Sequence, residues 1–142
     1  MNEVAPNYPD LNFAITDGVA EPSNVRGMLF KHAEGSYLAG IAAALKTKTN
    51  NVGFIGGVDF PLIHEFEQGF LAGVAEINPD IVVQIGYASV PPDFSGFNDP
   101  VKGKEIALAQ YEAGADIIYH AAGGTGTGMF EAAKEVLSLI HI

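Results

Sequence analysis

The chain alternates between short continuous apolar runs and longer segments in which apolar and small residues recur at helical spacing. Four runs closed by turn residues predict buried strands: 11–16, 51–57, 80–87 and 115–122. Four longer segments predict helices: 33–46, 61–77, 100–113 and 127–136. The order β-α-β-α-β-α-β-α implies a mostly parallel sheet with helices on both faces.

Ligands of such sheets bind beyond the carboxyl ends of the strands. Three strand ends carry candidate ligand loops: Asp17-Gly18, Gly56–Asp59 and Gly123–Gly128. The polar segment Thr47–Asn51 lies between a helix and a strand. It is either a simple loop or a crossover between two lobes.

Composition narrows the possible functions. Of the 142 residues, 48% are hydrophobic, so the chain is able to bury a core. Lys and Arg number 7 against 17 Asp and Glu, and the net charge of −10 argues against a nucleic-acid groove or an anionic membrane surface. The absence of Cys excludes disulfides, thiolate catalysis and Cys-based zinc sites from this chain.

The sequence GGTGTG at 123–128 is the most distinctive short motif. It is not a P-loop, because no Gly-Lys-Ser/Thr follows. It is not the dinucleotide fingerprint either, because the third glycine falls one residue early, at Gly128. Glycines at a helix N-terminus let backbone N–H groups approach sugar hydroxyls or an anionic oxygen. The alternative is a tight strand-to-helix turn without a ligand.

Single polar residues each allow two interpretations. Asp17 either binds a ligand or closes a turn, and His120 either contacts a ligand or belongs to the core or its rim. Asp59 and Asp99 precede helices that begin with Pro, which predicts N-caps. Asp116 opens a strand, where we expect it to be solvated.

Aromatic and catalytic patterns add little. Phe94 and Phe97 lie in the Pro/Gly/Ser-rich loop 89–99, where they either anchor the loop or line a cleft. The histidines are too scattered for a metal motif, and no Ser-His-Asp order or paired acids indicate catalysis. Nothing in the sequence requires an enzyme, a metal or a cofactor.

Five long segments carry a further signal: YPDLNFAITD (8–17), FKHAEGSYLAGIAAAL (30–45), VGFIGGVDFPLIHEFEQGFLAGV (52–74), FNDPVKGKEIALAQYEAGADIIYHAAGGTG (97–126) and YHAAGGTGTGMFEAAKE (119–135). They resemble the basic membrane protein family, the substrate-binding lipoproteins of ABC importers that include bacterial purine nucleoside receptors. The resemblance covers residues 1–135 in order, so it is far more specific than a lone glycine loop.

The resemblance implies a type I periplasmic-binding-protein fold, with two Rossmann-like lobes. Residues 1–48 would end the N-terminal lobe and 49–136 would begin the C-terminal lobe. It also implies an extracytoplasmic receptor without catalysis or cofactor. The partners of this receptor would be a nucleoside and ABC permease subunits. Only an N-terminal lipid anchor would hold the receptor at the membrane. Two alternatives are an α/β enzyme using Asp17 or His120 in acid–base work, and a sugar- or nucleotide-sensing regulatory domain of the same fold.

Site residues follow from the resemblance where the motifs match. Asp17 would bind the polar edges of a purine base. The loop that would contact the sugar comprises Ala122, Gly123, Gly124, Thr125 and Gly126. The aromatic that stacks on the base could be Phe97, Tyr119 or His120. Val58 stands where family members commonly have methionine.

Both ends depart from the family pattern. The family has a lipobox Cys and an early polar loop before the point where this chain starts, and Met1 aligns with an internal position. Residues 137–142, LSLIHI, reverse-translate readily to CTGTCTCTTATACACATC, which resembles a transposase-end adapter read in frame. We therefore expect this chain to be a fragment with an artefactual tail at 137–142. We expect the fragment by itself to bind ligand weakly or not at all.

We expect Asp17→Ala, in a family member completed at both ends around this chain, to weaken nucleoside binding more than about tenfold, because a carboxylate hydrogen bond to a buried ligand is lost. Calorimetric titration with a purine nucleoside measures this change. An unchanged affinity would refute the role of Asp17.

Overall fold

The computed structural model describes residues 1–138, which fall into two compact units divided between Lys31 and His32. The strands and helices, in chain order, are β1 (Phe13–Thr16), β2 (Val25–Met28), α1 (His32–Lys46), β3 (Asn51–Val58), α2 (Pro61–Ile77), β4 (Val82–Ser89), α3 (Pro100–Glu112), β5 (Ile117–Ala121) and α4 (Gly126–Ser138). The predicted α/β architecture with parallel sheets is confirmed. Within residues 1–138, no helix combines the length and apolarity needed to cross a membrane.

The first unit is built on two short parallel strands, with Phe13 of β1 opposite Val25 of β2. Strand β2 was not predicted, because its sequence VRGM has no apolar run and its residues alternate between half-buried and exposed. The Asn24 side-chain nitrogen lies 3.0 Å from the carbonyl oxygens of Ala5, Tyr8 and Leu11. Side-chain hydrogen bonds thus tie the residues before β1 to the start of β2.

The second unit contains a three-stranded parallel sheet in the order β4-β3-β5. Strand β3 lies in the centre, and all its residues after Asn51 are buried. Val52 pairs with Val83 on one side and Ile117 on the other. A strand buried on both faces needs a continuous apolar run, which is the pattern that the sequence shows at this position.

Helices cover both faces of this sheet. Helices α1 and α2 pack on the face of Phe54, where Phe70 and Val74 are almost completely buried. Helices α3 and α4 pack on the face of Ile55, with Ala107 and Met129 in that core. Neighbouring residues of β3 point to opposite faces, so two separate cores share one strand.

Helices α1 and α2 approach each other unusually closely. A Cβ atom added at Gly73 would overlap the carbonyl oxygen of Tyr37, and one at Gly40 would overlap that of Phe70. The backbones are therefore in direct contact where larger residues would hold them apart. Because of this packing, α1 belongs to the second compact unit. The lobe division expected at residues 48 and 49 concerns the whole protein and stays a prediction.

The two predicted N-caps differ in outcome. Asp99 caps α3, accepting the N–H of Lys102 at 2.9 Å, as predicted. The prediction for Asp59 is wrong, because Phe60 is the N-cap of α2 and makes no side-chain cap bond. Asp59 lies one residue before the N-cap position, where its N–H donates to the Ser89 carbonyl oxygen of β4. Its carboxylate lies 2.6 Å from His64 Nε2.

Asp116 was expected to be solvated, and it is partly exposed, but its carboxylate is also hydrogen-bonded within the protein. Its carboxylate accepts hydrogen bonds from the Thr47 hydroxyl at 2.7 Å and from the N–H groups of Lys48 and Thr49 at 2.6 and 3.3 Å. Desolvation, the largest single influence, raises the pKa of Asp116, but these hydrogen bonds together lower it below its usual value. The polar segment after α1 is thus fixed to the start of β5.

The predicted artefactual tail is only partly described. Leu137 and Ser138 end helix α4, and residues 139–142 lie outside the described residues. The tail assignment stays a prediction.

We expect Gly73→Ala to lower the free energy of unfolding by about 2 kcal/mol, because the new methyl group forces α2 away from α1. Gly35→Ala, on the exposed side of α1 with no atom near the added Cβ, is the matched control. It should stabilise the protein by about 0.5 kcal/mol. Urea unfolding measures both, and equal effects would contradict the close approach of the helices.

Candidate functional site

The order of the sheet reverses between β3 and β5. The crossover through α2 takes the chain from β3 to β4 on one side, and the crossover through α3 returns it to β5 on the other. Ligands of doubly wound sheets bind at such a reversal, beyond the carboxyl ends of the strands. The segments Gly57–Asp59, which includes the last two residues of β3, and Ala122–Gly124, which follows β5, lie at these two strand ends and define the candidate site.

The loop after β4 reaches this edge of the sheet and touches both strand ends. The ring of Phe97 lies where a Cβ on Gly57 would be, and a Cβ on Gly96 would overlap the Gly57 carbonyl oxygen. A Cβ on Gly123 would lie 3.1 Å from the carbonyl oxygen of Phe97. Three backbone segments therefore meet here at distances that only glycine allows.

Thr125 joins the glycine loop to the loop after β4. The residue is fully buried. Its hydroxyl donates to the Gly96 carbonyl oxygen at 2.6 Å and accepts the Asp99 N–H at 2.8 Å. The side chain predicted to contact a sugar is thus hydrogen-bonded inside the protein.

The glycine loop forms a tight strand-to-helix connection with a small exposed part. Gly123 has a φ of +54°, in the left-handed region that favours glycine. A 3-10 turn spans Gly123–Thr125, and α4 begins at once at Gly126. Of the predicted loop residues, Gly123 and Gly124 are exposed, whereas Ala122, Thr125 and Gly126 are buried. Of the five residues predicted to contact a sugar, only Gly123 and Gly124 therefore have a backbone that a ligand reaches.

Three phenylalanines form a connected cluster at this edge of the sheet. The ring of Phe60 makes edge contacts with Phe97 and Phe94, at centroid distances of 5.9 and 5.7 Å. Phe97 is half-buried, whereas Phe94 is 53% exposed. Of the two predicted roles, anchoring therefore suits Phe97, whose ring packs against Gly57 and Phe60. Val58, where the family commonly has methionine, is fully buried and contributes to packing.

The other two aromatic candidates lie on opposite faces of the sheet. Tyr119 stacks on Phe70 at 5.2 Å, and its hydroxyl lies 3.0 Å from Ser36 Oγ, so both ring and hydroxyl contact the core under α1 and α2. His120 lies on the α4 side, with its ring against the backbone of Gly126 and edge-on to Phe130 at 5.4 Å. Burial lowers the pKa of His120 below its usual value of 6.5.

Asp17 lies in the first unit, directly after β1. It is exposed, has a φ of +57°, and its N–H donates to the Met28 carbonyl oxygen at 2.8 Å. Asp tolerates this left-handed backbone better than most residues. The turn interpretation is therefore satisfied by the backbone, and the ligand role of Asp17 stays a prediction.

A group of ionisable side chains at the same edge was missed by sequence reasoning. The Tyr87 hydroxyl donates to Glu67, and His64, paired with Asp59, makes an edge contact with Tyr87 at 6.0 Å. Desolvation raises the pKa of Tyr87, and the charges of Glu67 and Asp59 raise it further. No local motif links these residues. Within residues 1–138, no group of three or more His, Asp or Glu side chains is placed to hold a metal ion.

Residues 1–138 match the family model Bmp, described as ABC transporter substrate-binding protein, PnrA-like. The ABC transporter nucleoside-binding protein BmpA of Lactococcus lactis subsp. cremoris (strain MG1363) is 46% identical over 135 residues, which cover 94% of this chain and 37% of that protein. The chain thus spans little more than a third of this relative.

Solved structures agree with this match. An ABC transporter solute-binding protein from Aeropyrum pernix K1 has a TM-score of 0.83 and 31% identity, over 96% of this chain and 39% of that one. A transcriptional activator of the comK gene from Bacillus halodurans has a TM-score of 0.75 and 25% identity, over 95% and 44%. The predicted periplasmic-binding-protein fold is therefore confirmed.

We expect the imidazole of His120 to titrate below pH 6.5, because the buried ring resists protonation. A depressed histidine pKa costs stability when the pH falls below the unfolded-state value of about 6.5. NMR titration of the ring protons measures the midpoint, and His120→Gln identifies the resonance. A midpoint at or above 6.5 would contradict the burial of the ring.

Proposed function

Because the chain belongs to the Bmp family of ABC transporter substrate-binding proteins, we propose that it is part of the receptor of an ABC importer and binds a nucleoside, with a purine base preferred. The observation that carries the proposal is the meeting of Phe97 with Gly123 and Gly124 at the reversal of strand order. An aromatic face beside exposed backbone N–H groups suits a ligand with a flat base and a hydroxylated sugar.

Each part of the ligand has a partner in this proposal. The partly exposed ring of Phe97 stacks on the base, and the backbone of Gly123 and Gly124 binds the sugar hydroxyls. For the polar edge of the base, the role predicted for Asp17 stays a separate proposal, which the Asp17→Ala variant tests. No bond is made or broken, so the site needs affinity and release without a catalytic group.

The buried members of the predicted site have a supporting role here. Ala122, Thr125 and Gly126 are inaccessible, so we assign them to holding the loop. Tyr119 contacts the core on one face, and His120 lies on the other, so Phe97 is the aromatic that fits the stacking role.

The transport role extends beyond this chain. We propose that the whole protein is extracytoplasmic, is held at the membrane by an N-terminal lipid anchor and delivers its ligand to permease subunits. The family match supports this proposal, as does the nucleoside-binding name of the Lactococcus relative.

A ligand-sensing regulatory domain is the second candidate, favoured by the likeness to the Bacillus halodurans transcriptional activator. The genomic sequence upstream of this chain discriminates between the two. A signal peptide with a lipobox Cys supports the receptor, whereas a DNA-binding helix-turn-helix supports the regulator.

We expect inosine to shift the amide resonances of Gly123 and Gly124 in ¹⁵N NMR spectra of the 142-residue chain, with an affinity of about 1 mM or weaker because part of the site lies outside it. Ribose alone should shift the same amides less, since it lacks the base. The amide of Gly35, exposed on α1, is the internal control.

Phe97→Leu tests the stacking role in the same titration, because it keeps apolar bulk and removes the aromatic face. The shifts produced by inosine should fall to those produced by ribose. An unchanged response in this variant would overturn the stacking role. No response of Gly123 and Gly124 in a family member completed at both ends around this chain would overturn the proposed site.

A further inference from the structure

We infer that Thr125 is a positioning residue for the ligand site: it holds Phe97 at the strand ends and acts through that ring without touching the ligand. For the ligand the inference rests on the proposed function, whereas the positioning of Phe97 rests on the contacts of Thr125 alone.

The hydrogen-bonding capacity of Thr125 is used within the protein. A hydroxyl group has one hydrogen to donate, and Thr125 donates it to the Gly96 carbonyl oxygen at 2.6 Å. The hydroxyl oxygen of Thr125 in turn accepts the N–H of Asp99 at 2.8 Å. With no part of the residue exposed, a ligand at the surface reaches neither the hydroxyl nor the methyl group.

The two bonds of Thr125 bracket Phe97 along the chain. Gly96 directly precedes Phe97, and Asp99 follows it by two residues. One side chain therefore fixes the backbone on both sides of the ring. Because Thr125 is itself in the glycine loop, it also fixes the distance between Phe97 and Gly123, the two groups assigned to base and sugar.

Thr125 is itself held in place by the close packing of α3 and α4. A Cβ on Gly103 of α3 would overlap the Thr125 carbonyl oxygen, and one on Gly128 of α4 would overlap that of Pro100. Asp99 is also the N-cap of α3. Thr125 therefore connects two closely packed helices to the loop that carries Phe97. Positioning of this kind increases affinity by lowering the ordering cost of binding.

Two substitutions separate the hydroxyl from the shape of the side chain. Thr125→Val keeps the volume and removes both hydrogen bonds, whereas Thr125→Ser keeps the hydroxyl and removes one methyl group. If the valine variant does not fold, Thr125→Cys replaces it, since a thiol of similar size is only a weak hydrogen-bonding group.

The first measurement needs no ligand. The ring of Phe97 lies against Gly57, so ring currents set the NMR shifts of the Gly57 amide and α protons. Thr125→Val should move these shifts towards those of Phe97→Leu, and Thr125→Ser should leave them near wild type. Unchanged Gly57 shifts in Thr125→Val would overturn the inference, whether or not the chain binds a nucleoside.

The second measurement is the affinity for inosine of the wild type and of the single variants Thr125→Val, Thr125→Ser and Phe97→Leu. The double variant Thr125→Val/Phe97→Leu is measured with them. Thr125→Val should weaken binding about fivefold to tenfold. In the Phe97→Leu background it should cause no further loss, since the ring through which it acts is absent. Additive losses would show that Thr125 acts on the ligand independently of Phe97 and would overturn the inference.

The two proposals fail in different ways. If Gly123 and Gly124 do not respond to inosine in a family member completed at both ends around this chain, the proposed function fails. The Gly57 shifts still decide whether Thr125 positions Phe97. If inosine binds and Thr125→Val lowers only the melting temperature, with affinity unchanged, Thr125 has a purely structural role and the inference is wrong.

Discussion

The parallel pairing of β3 with both β4 and β5 is the constraint on which the site depends. It makes β3 the central strand, whose two faces the helices cover, and it brings the carboxyl ends of β3 and β5 next to each other. Two glycine-containing ends that are more than sixty positions apart in the sequence thereby meet at one edge. The contacts of Phe97 with both Gly57 and Gly123 depend on that juxtaposition.

Close contact between backbone segments is the second constraint on the structure. Glycines allow α1 to lie on α2, α3 to lie on α4, and the loop of Phe97 to lie on two strand ends. Glycines in such a motif serve either close packing or ligand binding. Packing alone accounts for Gly126 and Gly128. The ligand proposal rests only on the exposed pair, Gly123 and Gly124.

Much of the fold could be predicted, because β3 and α2 have strong periodic patterns. Helix α2 has the predicted bounds, Pro61–Ile77, and the family suggested by the long motifs is confirmed. Strand β2 was missed because pairing with β1, rather than its own sequence, makes it a strand. Asp59 was misassigned, and the partners of Asp116 were not predicted, because His64 and the backbone after α1 reach these carboxylates only in the folded chain.

The sequence by itself determined the alternation of strands and helices, the cap at Asp99 and the family, because these depend on local spacing and on long matching segments. Only the tertiary structure decided which candidates face the site. Adjacent residues of a strand point to opposite faces, so Tyr119 and His120 are separated by the sheet itself. Thr125 is internal because a loop about thirty residues earlier in the chain folds over it and takes both of its hydrogen bonds.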